Sequence, residues 1–160
     1  FKARGDYDAA LDYLEKSLAI QQEIGDRAGE GTTLNNISQI FKARGDYDAA
    51  LDYLEKSLAI QQEIGDRAGM IPTLHNMAHI HQQNEDWQGA VQAFLQALQL
   101  AKETQNAEGL YHVSRDLGSL LCRVGQKQDG LALLQQALAV GEQVGFPDVD
   151  QVRQLIAQYR

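Results

Sequence analysis

The sequence predicts an all-α protein, an α-solenoid in which antiparallel helix pairs stack on one another. Residues 1–29 recur without change at residues 41–69, and diverged copies follow from Gln82 and from Cys122 at the same 40-residue period. A fixed period of this length is the signature of a solenoid, in which each repeat buries its apolar face against its neighbours. Within each copy the apolar residues also follow the spacing of one helix face.

Composition limits the class of protein. The 160 residues are 44% hydrophobic and 22% charged, which is typical of a globular chain and argues against disorder. The net charge of −8 argues against a nucleic-acid scaffold, which needs a basic face, and disfavours an anionic membrane surface. One cysteine, Cys122, excludes an intramolecular disulfide and a multi-cysteine metal site. Because Phe1 falls in the middle of a repeat, we expect the chain to be a fragment of a longer array.

The second copy defines the repeating helix pair. Gly45 is expected to end one helix and Asp46 to cap the next, which runs over about 47–64. The apolar face of this helix contains Tyr47, Ala50, Leu51, Leu54, Leu58 and Ile64. The stretch before the turn, Leu34 to Phe41, places apolar residues on one face of a second helix. Each repeat is therefore predicted to be two helices joined by a Gly-Asp turn.

Extending this pair along the chain gives the remaining elements. The predicted helices are about 7–24, 28–43, 47–64, 70–83, 87–104, 108–124 and 127–144, followed by a helix from Asp148. Pro72 leaves two alternatives, a helix that begins near residue 70 or one that begins near 67 and bends at the proline.

The two ends of the predicted array differ. At the C-terminal end, one face of the last helix is apolar and the other is polar, as a capping helix requires. Its apolar residues are Val149, Val152, Leu155, Ile156 and Tyr159. Pro147 lies just before the N-terminus of this helix, where the missing N–H of proline costs little. No such cap precedes helix 7–24, so its apolar face is expected to be open.

The residues around the turn resemble those of a known family. The stretch GDYDAALDYLEKSL, residues 45–58, resembles the second-helix half of a tetratricopeptide repeat (TPR), with Ala50 at its small position. Leu34, Ile37 and Phe41 match the first-helix half, and Ser38 stands at the small position there. The long repeat resembles those of Pins/LGN-type scaffolds, kinesin light chains and bacterial TPR proteins. In the fourth copy Gly130 replaces the alanine, and we expect it to weaken its helix by about 1 kcal/mol.

The resemblance implies a right-handed TPR superhelix over the whole chain. We predict a single solenoid, residues 1–160, with a partial repeat at about 1–27 and a cap helix at 148–160. The complete repeats are predicted at 28–67, 68–107 and 108–147.

In this family the first helix of each pair lines a concave groove that binds extended peptides. The predicted groove residues are Asn35, Asn36, Gln39, Lys42, His75, Asn76, His79, Gln82, His112, Arg115, Ser119 and Arg123. Amide side chains offer both a donor and an acceptor, which suits the backbone of an extended peptide. Asn36, Asn76 and Arg115 also fit a carboxylate clamp, although its full set of basic residues is not evident.

Chemical sites other than a groove are weakly supported. His75 and His79 have the i, i+4 spacing of a two-histidine metal pair, but no HExxH motif accompanies them. We therefore expect histidines in a solvated groove, with no metal and no cofactor. No Ser-His-Asp, glycine-rich phosphate loop or paired-carboxylate motif stands out, so we expect no catalytic activity.

The sequence thus predicts a cytoplasmic protein-interaction scaffold. Its expected partner is a protein or a peptide, with no nucleic acid and no membrane. Two alternatives stay open. One is a regulatory or sensor TPR segment of a larger bacterial protein. The other is a self-assembly module, a homo-oligomer that forms through the open N-terminal face of helix 7–24.

Overall fold

The computed structural model describes residues 4–160, and within that range the chain forms eight helices and no strand. The helices are α1 (Arg4–Ile24), α2 (Arg27–Ala43), α3 (Tyr47–Ile64), α4 (Arg67–Gln83), α5 (Trp87–Glu103), α6 (Ala107–Arg123), α7 (Lys127–Val144) and α8 (Val149–Tyr159). The predicted fold class is confirmed.

Turn chemistry explains why the predicted boundaries agree closely with the observed ones. Gly45 follows α2 with a φ of 81°, a left-handed conformation that glycine adopts without a Cβ penalty. The Asp46 carboxylate then accepts a hydrogen bond from the Ala49 N–H at 3.2 Å and caps α3. In the third copy Glu85 and Gln105 take the left-handed position, with φ values of 59° and 54°.

Two helices begin three residues earlier than the simplest prediction. The first is α1, which begins at Arg4 and not at residue 7, because Gly5 and Asp6 are helical in this copy. The second is α4, which begins at Arg67 and contains Pro72, so the second alternative for its start is correct. Asp66 fixes that start, since its carboxylate accepts from the Gly69 N–H at 2.9 Å. The missing N–H of Pro72 removes one bond near the helix start.

The chain divides into two compact units, Phe1–Ala90 and Val91–Arg160, called here the first and the second unit. In the first unit α1 packs against α2, α2 against α3, and α3 against α4. Its core cluster contains Ala50, Leu54 and Ile80, with Phe41, Tyr47, Leu51 and Met77 packed around them. Within this unit α2, α3 and α4 bury apolar residues on their neighbours, as the repeat pattern predicts, whereas Tyr13, Ile20 and Ile24 of α1 are exposed.

In the second unit α6 packs against α7, and α8 packs against both. The core cluster contains Tyr111, Leu134, Ala137, Val152 and Ile156. Leu155 and Tyr159 pack against this cluster from the same face of α8. The predicted capping role of α8 is confirmed.

The packing of α6 on α7 corrects the expectation for Gly130. A Cβ at this position would lie 2.6 Å from the Gly118 carbonyl oxygen and 2.8 Å from the Cys122 nitrogen. Gly130 therefore permits close backbone contact between the two helices. Its lower helix propensity is offset by packing that alanine would disrupt.

Candidate functional site

Eight predicted groove residues lie on α2 and α4 of the first unit. Asn36 is exposed, and the other seven are partly buried. On α2 they are Asn35, Asn36, Gln39 and Lys42, and on α4 they are His75, Asn76, His79 and Gln82.

Asn35 is engaged in contacts between helices. Its Nδ2 donates to the Ser57 Oγ of α3 at 2.7 Å and lies 3.0 Å from the Thr73 Oγ1 of α4. Its Oδ1 faces the Asn76 Nδ2 at 3.5 Å, a long and weak contact. The side chain thus links three helices, and this structural role was missed because sequence alone does not show which side chains meet.

A pocket in the first unit brings two of the predicted residues together. Gln39 and Lys42 line an open cavity of about 420 Å³, with Ala43, Tyr47 and Gln83 as its other walls. A cavity of this size lies in the range that accepts a small ligand or a large side chain. The sequence placed Tyr47 on the packing face, so its part in the lining was not foreseen.

His75 and His79 contact each other on α4. Their Nε2 atoms lie 3.2 Å apart, and the two ring centroids are 4.6 Å apart. One turn of helix separates residues four apart, which explains the contact. The metal-free expectation for this pair stays a prediction.

Four predicted groove residues lie on α6 of the second unit: His112, Arg115, Ser119 and Arg123. Arg123 is exposed, and the other three are partly buried. The Arg115 Nε bonds to the Asp116 carboxylate at 3.0 Å, and its Nη1 bonds to the Asp148 carboxylate at 3.1 Å. In a carboxylate clamp, Arg115 would bind a carboxylate of the ligand. In this structure Arg115 already pairs with two carboxylates of its own chain.

Asp148 lies just before α8 and also accepts a hydrogen bond from the Tyr111 hydroxyl at 2.7 Å. Burial and this hydrogen bond raise the pKa of Tyr111 to about 12. The same bond, helped by the nearby Arg115 charge, lowers the pKa of Asp148 below its usual value. The Phe146 ring stacks on Tyr111 with centroids 4.6 Å apart. These contacts hold the start of α8 against α6, and the 37-residue separation of Tyr111 from Asp148 hid them from sequence reasoning.

Stacked helix pairs with small residues at their crossings and a polar surface on their first helices define a helical-repeat protein. The family model described as tetratricopeptide repeat matches residues 1–63 and 69–143. The chain therefore belongs to the tetratricopeptide repeat family. No helix within residues 4–160 is long and apolar enough to cross a bilayer.

Solved structures share this fold at low identity. A protein of Podosopora anserina described as a kinesin light chain with nearly identical TPR-like repeats matches with a TM-score of 0.76 and 21% identity, over 97% of this chain and 78% of that one. BtubC (BKLC) from P. vanneervenii matches with a TM-score of 0.78 and 20% identity, over 89% of this chain and 59% of that one.

A third match is aspartyl phosphate phosphatase F from Bacillus subtilis, with a TM-score of 0.91 and 14% identity. It covers 96% of this chain and 40% of the phosphatase chain. At these identities the likeness concerns the fold alone. No curated protein matches the chain.

Proposed function

We propose that this TPR chain is a protein-interaction scaffold that binds an extended peptide on the first helices of its repeats. The observation that best supports this function is the pocket bounded by Gln39, Lys42 and Gln83 in the first unit. It joins the polar surfaces of α2 and α4, where we expect the ligand from the family resemblance. TPR folds generally serve as non-catalytic scaffolds, and a cytoplasmic location remains part of the proposal.

The side chains around this pocket favour a particular peptide chemistry. The amides of Gln39 and Gln83 provide donors and acceptors for a peptide backbone. The Lys42 ammonium provides a cation for an acidic side chain or a terminal carboxylate. Asn36 is exposed beside them, whereas the Asn35 amide already bonds to Ser57. A polar peptide with one acidic group is therefore the proposed ligand.

A peptide array that samples extended sequences tests this proposal. The double variant Gln39→Ala, Lys42→Ala is expected to lose most of the signal for acidic peptides. The double variant Asn36→Ala, Asn76→Ala is expected to reduce binding to all polar peptides. Lys56→Ala is the matched control, since Lys56 is an exposed lysine on α3. Unchanged binding by both double variants would mean that the ligand lies elsewhere.

A second candidate function is docking of another helix at the N-terminal end. The observation that favours it is the exposure of large apolar side chains on α1, namely Tyr13, Ile20 and Ile24. Exposed apolar surface of this kind marks interaction sites on many proteins. The regulatory or sensor alternative has no comparable observation in its favour.

A further inference from the structure

Two histidines lie one turn apart on α4, on a part of the helix that packing holds in place. His75 and His79 are partly buried, and the residues next to them in the chain, Leu74, Ala78 and Ile80, are buried. These buried neighbours fix the stretch of backbone that carries both imidazoles. Because side chains four residues apart share one face of a helix, the two rings lie side by side.

The two rings approach each other through the same nitrogen atom. The Nε2 atoms of His75 and His79 lie 3.2 Å apart, and the ring planes are tilted by 58°. A Zn²⁺ ion binds imidazole nitrogen at about 2.0–2.1 Å in tetrahedral geometry, so two nitrogens that share one ion lie about 3.3–3.4 Å apart. The separation in this structure therefore fits a shared metal ion without a change in the helix.

A hydrogen bond between two neutral rings also fits the distance between the Nε2 atoms. In that arrangement one Nε2–H donates to the other Nε2. A metal ion needs the lone pair of both nitrogens, so the proton of the donor ring would move to its Nδ1. Each imidazole stays neutral in this exchange, and the chain neither gains nor loses a proton.

The lack of an HExxH motif does not argue against metal binding at this pair. The glutamate of that motif is the general base of a metalloprotease, and the two histidines are the residues that bind the metal. Imidazole suits zinc, copper and nickel, whereas calcium and magnesium prefer oxygen ligands. The net charge of −8 also attracts cations to the chain.

We propose that His75 and His79 form a two-histidine binding site for a divalent transition-metal ion such as Zn²⁺. The pair supplies two of the four ligands of a tetrahedral ion, which leaves two positions for water or for donor atoms of a bound ligand. This proposal replaces the metal-free expectation drawn from the sequence. It goes beyond the scaffold function, because an ion can bind the pair whether or not a peptide binds at Gln39 and Lys42.

Isothermal titration calorimetry of the full chain with zinc chloride, in a buffer that does not bind zinc, measures the affinity. Wild-type protein should bind one Zn²⁺ at this pair. His75→Gln and His79→Gln should each weaken binding at least about tenfold, because the second imidazole acts at high effective concentration once the first is bound. His81→Gln is the matched control, since His81 is also partly buried on α4 and its Nδ1 lies 3.1 Å from the Asp86 carboxylate. Circular dichroism of each variant checks that it is folded.

Nitrogen-15 NMR of the imidazole rings tests the same proposal without any substitution. Zinc should shift the Nε2 resonances of His75 and His79 and leave those of His81 in place, and EDTA should reverse the shifts. Absence of zinc binding to the wild-type protein would overturn the proposal. So would a zinc affinity that His75→Gln or His79→Gln leaves unchanged, or NMR shifts that are equally large at all four histidines of the chain.

Discussion

Helices α1 and α3 share a sequence and differ in environment, and this contrast shows what stabilises the chain. In α3 the residues Ala50, Leu54 and Ser57 are fully buried, whereas Ala10 and Leu14 of α1 are half-buried. Helix propensity is the same in both copies, so packing by neighbouring helices accounts for the difference. In a repeat array, a residue's contribution depends on which neighbours it has.

The largest expected effect concerns the buried leucine of each copy. Leu54→Ala should lower the free energy of unfolding by about 3 kcal/mol, because Leu54 is fully buried and its loss leaves a cavity. Leu14→Ala should cost less, about 1–2 kcal/mol, because Leu14 is only partly buried and part of its apolar surface already contacts water. Urea unfolding of the two variants measures both values. Equal losses would show that α1 is as well packed as α3.

Substitution of the equivalent serines, Ser57 of α3 and Ser17 of α1, should give the next largest difference in stability. Ser57→Ala should destabilise the protein by about 1–2 kcal/mol, because it removes the bond to the Gly31 carbonyl oxygen and one partner of Asn35. Ser17→Ala should be neutral or slightly stabilising, since alanine is the better helix former. Thermal unfolding by circular dichroism compares the two. A loss of stability in Ser17→Ala similar to that of Ser57→Ala would contradict the comparison.

Equivalent glycines should respond with opposite signs. Gly45 has a φ of 81°, so Gly45→Ala should destabilise by about 1 kcal/mol. Gly5 is helical and a Cβ there meets nothing within 4 Å, so Gly5→Ala should stabilise α1 by up to about 1 kcal/mol. The melting temperatures of the two variants should shift in opposite directions. Destabilisation by Gly5→Ala would place a turn at Gly5, as at Gly45.

The smallest expected effect is pH-dependent and concerns Tyr111 in the second unit, where α8 caps the helix stack. The pKa of Tyr111 is raised from its ordinary value of 10.0 to about 12 in the folded chain. The folded state is therefore stabilised below pH 10, and this contribution is lost as the pH rises from 10 towards 12. Tyr111→Phe should show a shallower loss of melting temperature over that interval. If the melting temperatures of wild type and Tyr111→Phe fall in parallel with pH, the Tyr111 phenol does not contribute to the pH dependence of stability.

Much of the fold could be predicted because local signals repeat. Glycine and aspartate at the turns fix helix ends within a few residues, and the apolar period identifies the buried faces. Pro72 was ambiguous, since the Asp66 cap and the proline favour different starting points, and the cap determined the outcome.

The candidate site was less predictable because it depends on contacts between helices. The repeat alignment that places Asn35 on the groove helix does not show that its amide bonds to Ser57 and Thr73. Nor does the sequence show that Asp148 already pairs with Arg115. The close approach at Gly130 was likewise invisible, because helix propensity describes a residue without its neighbours.

Amide hydrogen exchange compares the stability that neighbouring helices confer on α1 and on α3. The segments give identical peptides on digestion, so exchange should be followed by NMR with residue-specific assignments. We expect the amides of α1 to exchange faster than the equivalent amides of α3, because in the described structure α3 packs on both α2 and α4 whereas α1 packs on α2. Equal protection of the two helices, or stronger protection of α1, would contradict this expectation.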